Sequence, residues 1–94
     1  MTLRLCVLLW PNPGRNDELR RYEDAVLPLL EEHGGRLVAR ETVARADESQ
    51  PLEVQLIELR DQAAMDAYLA DPRRLELEDA RANAIARTQI LRLE

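Results

Sequence analysis

The groups in this sequence best suited to chemistry on a small molecule are the Tyr22 hydroxyl, the His33 imidazole, the Arg40 guanidinium and the Glu58 carboxylate. His33 or Glu58 could move a proton, and Arg40 could stabilise developing negative charge while Glu58 orients it, because a guanidinium binds carboxylate or enolate oxygens in a bidentate manner. Each also has a plainer role. A protonated imidazole in the last turn of a helix interacts well with the helix dipole, by about 0.3–1 kcal/mol. Arg40 and Glu58 would otherwise make a structural ion pair at a subunit interface, and Tyr22 and Tyr68 would be core residues whose hydroxyls find partners. Tyr68 and Trp10 are the further aromatic candidates for ligand contact, although Trp10, at a strand end, suits an interface anchor better than a stacking platform.

Absences narrow the chemistry. All 13 basic residues are arginine, so there is no lysine for a Schiff base or a phosphate-binding loop. A lone Cys6 and a lone His33 cannot build a structural zinc site within one chain, and Cys6 reads as an inert small hydrophobe. Ser49, the only serine, lies in the polar run Asp47–Pro51 and makes a poor nucleophile. Haem binding would make His33 an axial ligand, a role its solitary position at a helix end argues against. No metal and no cofactor is implied.

The elements that must position these groups follow from patterning. Residues 3–10 are nearly all apolar, as in a central strand covered on both faces, and Pro11 and Pro13 end them. From Asn16 or Asp17, the residues Leu19, Tyr22, Val26, Leu29, Leu30 and His33 recur at helical spacing up to Gly34-Gly35, with Pro28 expected to bend or break the helix. Strands at 36–44 and 52–60 flank a polar linker, 45–51. Centring the hairpin on Ser49 sets Arg40 opposite Glu58 and Thr42 opposite Leu56. A second helix opens at Asp61 with Ala64, Met65, Tyr68 and Leu69 on one face; Asp71-Pro72 interrupts it, a helical stretch resumes from about Arg73 through Ala86, and Thr88–Leu93 alternates as a closing strand.

The order is β-α-β-β-α-β, a ferredoxin-like α+β sandwich: a four-stranded antiparallel sheet in one domain, 1–94, with helices on one face. With Leu3, Leu5, Val7 and Leu9 turned to the helices, the other face carries Arg4, Cys6, Leu8, Trp10, Val38, Thr42, Val54, Leu56 and Ile90. A surface so apolar predicts a sheet-to-sheet homodimer. At 94 residues the core is thin, which makes help from a second copy reasonable.

With 46% hydrophobic and 33% charged residues and no apolar run of 18, the chain reads as soluble and globular. A net charge of −5, with arginines scattered among 18 acidic residues, argues against nucleic-acid binding. The apolar start could imitate a signal peptide, but no small-x-small site follows and its loss would remove the best strand. A reducing cytoplasm is the expected setting for the unpaired cysteine.

The runs 22–40 and 53–72, followed by Arg81, resemble a family of small bacterial proteins, a domain of unknown function within the dimeric α/β-barrel superfamily. The likeness is carried by Tyr22, Pro28-Leu29-Leu30, Gly34-Gly35-Arg36, Arg40, Glu58, Pro72 and Arg81. Arg74 stands where that family typically has an aromatic residue, and the Gly-rich hairpin turn common there is absent. The resemblance implies a homodimer with a cleft between each sheet and its helices, and it alone makes Arg81 a ligand contact. The wider superfamily includes cofactor-free monooxygenases, haem-degrading enzymes, isomerases and effector-binding modules, so the fold selects no chemistry. Two expectations stand together: an enzyme needing no cofactor, of monooxygenase or isomerase type, that acts on an unidentified small organic molecule, or a non-catalytic metabolite-binding or dimerisation module.

Overall fold

The computed structural model describes residues 2–94. Four strands, β1 (Leu3–Pro11), β2 (Gly35–Thr42), β3 (Glu53–Leu59) and β4 (Ile85–Leu93), form one antiparallel sheet in the order β2-β3-β1-β4. This is the ferredoxin-like arrangement, with the helices on one face. Leu3, Leu5, Val7 and Leu9 are buried against the helices, and Cys6, Leu8 and Trp10 lie half-buried on the back. The central place of β1 matches its apolar sequence. The expected cover on both faces is met on one face only, the one that carries all the helices.

α1 (Asn16–Val26) buries Leu19, Tyr22, Glu23 and Val26, one stripe at helical spacing. The α-helix changes to 3₁₀ turns over Leu27–His33, with Pro28 in the first turn. Proline offers no backbone N–H, so the i→i−4 ladder cannot run through it. Gly34 then closes the segment in the left-handed conformation, at φ 74°. Its neighbour Gly35 is required for a different reason: a Cβ there would stand 2.9 Å from Leu59 Cδ2 and 3.0 Å from the Glu58 carbonyl oxygen. Leu19, Val26, Leu30 and Leu59 are the most deeply buried large side chains, each contributing about 1.5–3 kcal/mol by leaving water.

The hairpin register differs from the sequence expectation. Gly35 through Leu37 pair with Leu59 through Ile57, a bulge follows between Leu37 and Ala39, and beyond it Arg40 faces Gln55 and Thr42 faces Glu53. Neither Arg40–Glu58 nor Thr42–Leu56 is a pair. Arg36 takes the place opposite Glu58. The extra residue reverses the facing of everything after it, so Arg40 and Thr42 join the helix side rather than the back. Ile90 is also corrected: it pairs with Val7 and so faces the helices, leaving Leu91 and Leu93 on the back.

In the second half, the Asp61 carboxylate caps α2 (Gln62–Leu69) by accepting from the Ala64 N–H at 2.8 Å. The stretch expected to be helical through Ala86 is two short helices, α3 (Pro72–Leu75) and α4 (Glu78–Ala84). α4 stops early because Asn12 caps its end. The Asn12 side-chain amide donates to the carbonyls of Ala82 and Asn83 at 3.0 and 2.8 Å, and its backbone N–H donates to that of Ala84 at 2.9 Å.

Candidate functional site

Between the sheet and the helices lies a cleft of about 320 Å³. Leu9, Ile57, Met65, Leu69, Ile85 and Ile90 give it apolar walls, and Tyr22, Glu23, Gln55, Tyr68, Arg74 and Arg81 supply its main polar groups. α1 contributes Tyr22 and Glu23 from its buried stripe, α2 contributes Tyr68, and α3 and α4 bring the two arginines.

The floor is a polar network in an otherwise apolar layer. Gln55 Nε2 donates to Glu23 Oε1 at 2.8 Å and to Glu53 Oε2 at 2.5 Å. Arg40 Nε donates to the same Glu53 oxygen at 3.0 Å, and its other nitrogens reach Asp24 at 2.6 Å and the Arg20 carbonyl at 3.2 Å. Glu53 is 2% exposed and Glu23 is 6% exposed. Burial, with the nearby Glu53 charge adding to it, holds the Glu23 carboxyl above the usual carboxylate range against the lowering effect of the Gln55 hydrogen bond. The hydrogen bond that Glu23 accepts is on Oε1, and none reaches Oε2 among the described residues.

Burial also raises the Tyr22 hydroxyl and pushes that of Tyr68 up to about 12. Tyr68 donates to the Val26 carbonyl at 3.1 Å, whereas the Tyr22 hydroxyl has no protein partner among the described residues. The Arg74 guanidinium lies 4.5 Å from the Tyr68 ring centroid and joins no ion pair among the described residues. Among the described residues Arg81 pairs only with Glu78, at 3.2 Å. The cleft therefore offers two arginines, a hydroxyl without a partner among the described residues, and a carboxyl that burial holds above the usual carboxylate range.

Of the residues singled out in the sequence, the fold gathers Tyr22, Tyr68 and Arg81 in this cleft. Arg40 lies outside the cavity wall and reaches it through Glu53 and Gln55. Glu58 is on the back of the sheet, between Arg4 at 3.4 Å and Arg36 at 2.8 Å, and so cannot orient Arg40. Trp10 is also on the back, its ring N–H donating to the Ser49 carbonyl at 3.0 Å and Arg87 stacked 4.4 Å from its centroid. His33 stands behind Tyr68, ring to ring at 6.2 Å, and its Nε2 donates to Asp71 Oδ2 at 2.7 Å. Among the described residues no group of three His, Cys, Asp or Glu is placed to hold a metal ion, and no helix is long and apolar enough to cross a membrane.

Residues 13–92 match the family described as Domain of unknown function (DUF1330). The chain belongs to the DUF1330 family. No curated protein matches it in sequence. Solved structures share its shape at low identity. PA3566 from Pseudomonas aeruginosa is 19% identical over 98% of this chain and 91% of its own, with a TM-score of 0.75. A Bacteroides fragilis protein, described as dimeric, of unknown function and with a ferredoxin-like fold, is 11% identical over 99% and 95%, also at 0.75. A dabb family protein from Mesorhizobium loti, again with a ferredoxin-like fold, is 14% identical over 99% and 95%, at 0.70. Likeness at this level establishes the fold alone.

Four polar residues of this DUF1330 protein escape a reading that looks for reactive residue types. Glu23 carried a signal: it sits four residues after Leu19 and three before Val26, in the apolar stripe of α1. Glu53 and Gln55 carried another, since they alternate in phase with the buried Ile57 and Leu59. Arg74 differs, because only the turn at Asp71-Pro72 aims it over Tyr68.

That turn is itself held by charge. Arg73 donates to Asp71 from both its side chain and its backbone N–H, His33 donates as well, and together they hold the Asp71 carboxyl well below the usual carboxylate range. Arg73 continues to Glu32 at 3.0 Å. A depressed folded-state value means the carboxylate's contribution is complete above the unfolded value, about 3.9, and is lost as pH falls below it. Melting curves are expected to move down in temperature from about pH 4 downward, with a shallower fall in Asp71→Asn; identical slopes in the two proteins would refute the assignment.

Proposed function

We propose that this DUF1330 protein binds a small organic carboxylate with an apolar body, each copy holding it between sheet and helices, in a homodimer formed back to back through the sheets. One observation carries the ligand class: Arg74, which has no carboxylate partner among the described residues, shares an apolar cleft with Arg81 and the Tyr22 hydroxyl. In a chain of net charge −5, cationic groups gathered in an apolar cleft are a local reversal of sign, and such a site favours an anion. Guanidinium groups match a carboxylate in geometry as well as charge.

Dimerisation is supported by the back of the sheet. Cys6, Leu8, Val54 and Leu56 form its centre, and Val38 and Leu91 remain 47% and 43% exposed. The Arg4–Glu58–Arg36 row offers both signs of charge at the edge, which lets the surface complement a copy of itself. The Bacteroides fragilis relative is described as dimeric. A reducing cytoplasm suits the unpaired Cys6.

The test is a calorimetric titration with phenylacetate, 3-phenylpropionate and phenylpyruvate beside the neutral phenylacetamide. The acids are expected to bind with Kd below about 1 mM, a modest figure of about −0.4 kcal/mol per heavy atom, and the amide at least tenfold more weakly. Equal binding of acid and amide, or of neither, would show that the cleft is not an anion site.

A further inference from the structure

We infer that Glu23 is the proton-transfer residue of this cleft and that the bound acid is an enolisable 2-oxo acid. The inference rests on the cleft being the ligand site and goes beyond it by assigning a reaction. A carboxyl in the buried stripe of α1 is costly to keep, and an apolar residue in that slot would serve the core better. Glu23 joins no ion pair among the described residues. Arg74, in the same cleft, acts on it through charge alone, Arg40 is committed to Glu53 and Asp24, and Glu23 accepts a hydrogen bond from the neutral amide of Gln55, on Oε1. Oε2 has no protein partner among the described residues, in a side chain that is 94% buried by its 6% exposure and lines the cavity. This arrangement fixes one oxygen and leaves the other to exchange a proton with whatever fills the space.

The surrounding groups give that proton a destination. Tyr22, Glu23, Arg74 and Arg81 line one cavity, so a ligand whose carboxylate meets the two arginines can offer its neighbouring carbonyl to the Tyr22 hydroxyl and the carbon beyond it to Glu23. The Glu23 carboxylate takes the proton from that carbon. The C–H electron pair becomes the new C=C bond, and the C=O pair moves onto oxygen, where Tyr22 donates a hydrogen bond to the enolate. Tyr22 keeps its own proton, as a phenol raised by burial should. Glu23 then returns the proton to oxygen, giving the enol, or to carbon, giving back the ketone with its hydrogen exchanged. Nothing is oxidised or reduced, and no co-reactant is consumed.

The experiment uses phenylpyruvate in deuterium oxide. Loss of the C3 proton signal is followed by NMR, the enol by its ultraviolet absorbance, and binding by calorimetry. The wild-type chain should speed exchange about 100-fold or more over buffer. Glu23→Gln should lose nearly all of that while its Kd for phenylpyruvate changes less than about threefold. Tyr22→Phe should slow exchange without abolishing it, so the inference stays testable even if Glu23→Gln fails to fold. Exchange at the wild-type rate in Glu23→Gln, or phenylpyruvate bound by the wild type without faster exchange, overturns the role of Glu23 and leaves carboxylate binding standing. Absence of binding by all three acids overturns both.

Discussion

Arg74→Gln is expected to weaken binding of 3-phenylpropionate by about 10–100-fold, with the melting temperature nearly unchanged. A hydrogen bond to a charged partner contributes about 1.5–3 kcal/mol when the alternative is an unpaired group, and glutamine retains length and polarity but neither the charge nor the fork. Stability should hold because Arg74 is half-exposed and gives the fold only its contact with the Tyr68 ring. Arg81 should matter less. It must share its guanidinium with Glu78, so part of its charge is already answered. Calorimetry on the single variants and the pair separates the contributions. An Arg74→Gln protein that binds the acid as tightly as wild type would remove the anion from the cleft.

Leu56→Glu is the second substitution with a large expected effect. Leu56 occupies β3 in the middle of the back surface, opposite Cys6 on β1 and Ala39 on β2. In a back-to-back dimer two copies of this position approach one another near the symmetry axis, and two carboxylates there lose water and repel. A penalty of about 3 kcal/mol or more corresponds to a dimer Kd raised over 100-fold. Sedimentation at micromolar concentration should then show one chain, with the far-ultraviolet dichroism of the wild type, because this face contributes nothing to the helix-side core. Should the wild type already sediment as a monomer, or the variant as a dimer, the back surface has some other purpose.

The fold was legible because its signals are local and agree with one another. Pro11, Pro28, Gly34 and Asp61 each mark an element boundary through their own backbone chemistry, and the alternation in β1 picks out its buried side. The site was legible only in part. Tyr22, Tyr68 and Arg81 fall on faces that helical spacing or family likeness identifies. Arg40 and Glu58 were placed together by a hairpin centred on Ser49; the strands pair about a centre near Asp47, which by itself sets Arg40 opposite a residue well short of Glu58, and the unpaired Val38 then turns Arg40 to the other face. No propensity announces that residue, since a bulge costs the chain little and is decided by how the strands meet. Glu23 and Gln55 were legible in principle, as polar residues in apolar phase, but a search for reactive types passes over them.

β1 has a consequence for the order in which the molecule can assemble. Both of its ladders are made with strands from the far half of the sequence, Glu53–Leu59 and Ile85–Leu93, and Arg4 reaches the carbonyl of Glu94 at 2.9 Å. The most apolar segment therefore cannot complete its ladders until Ile85–Leu93 has been made. Such high contact order slows folding relative to a helical bundle of equal size, and it leaves a greasy strand partly unpaired on the nascent chain in the meantime.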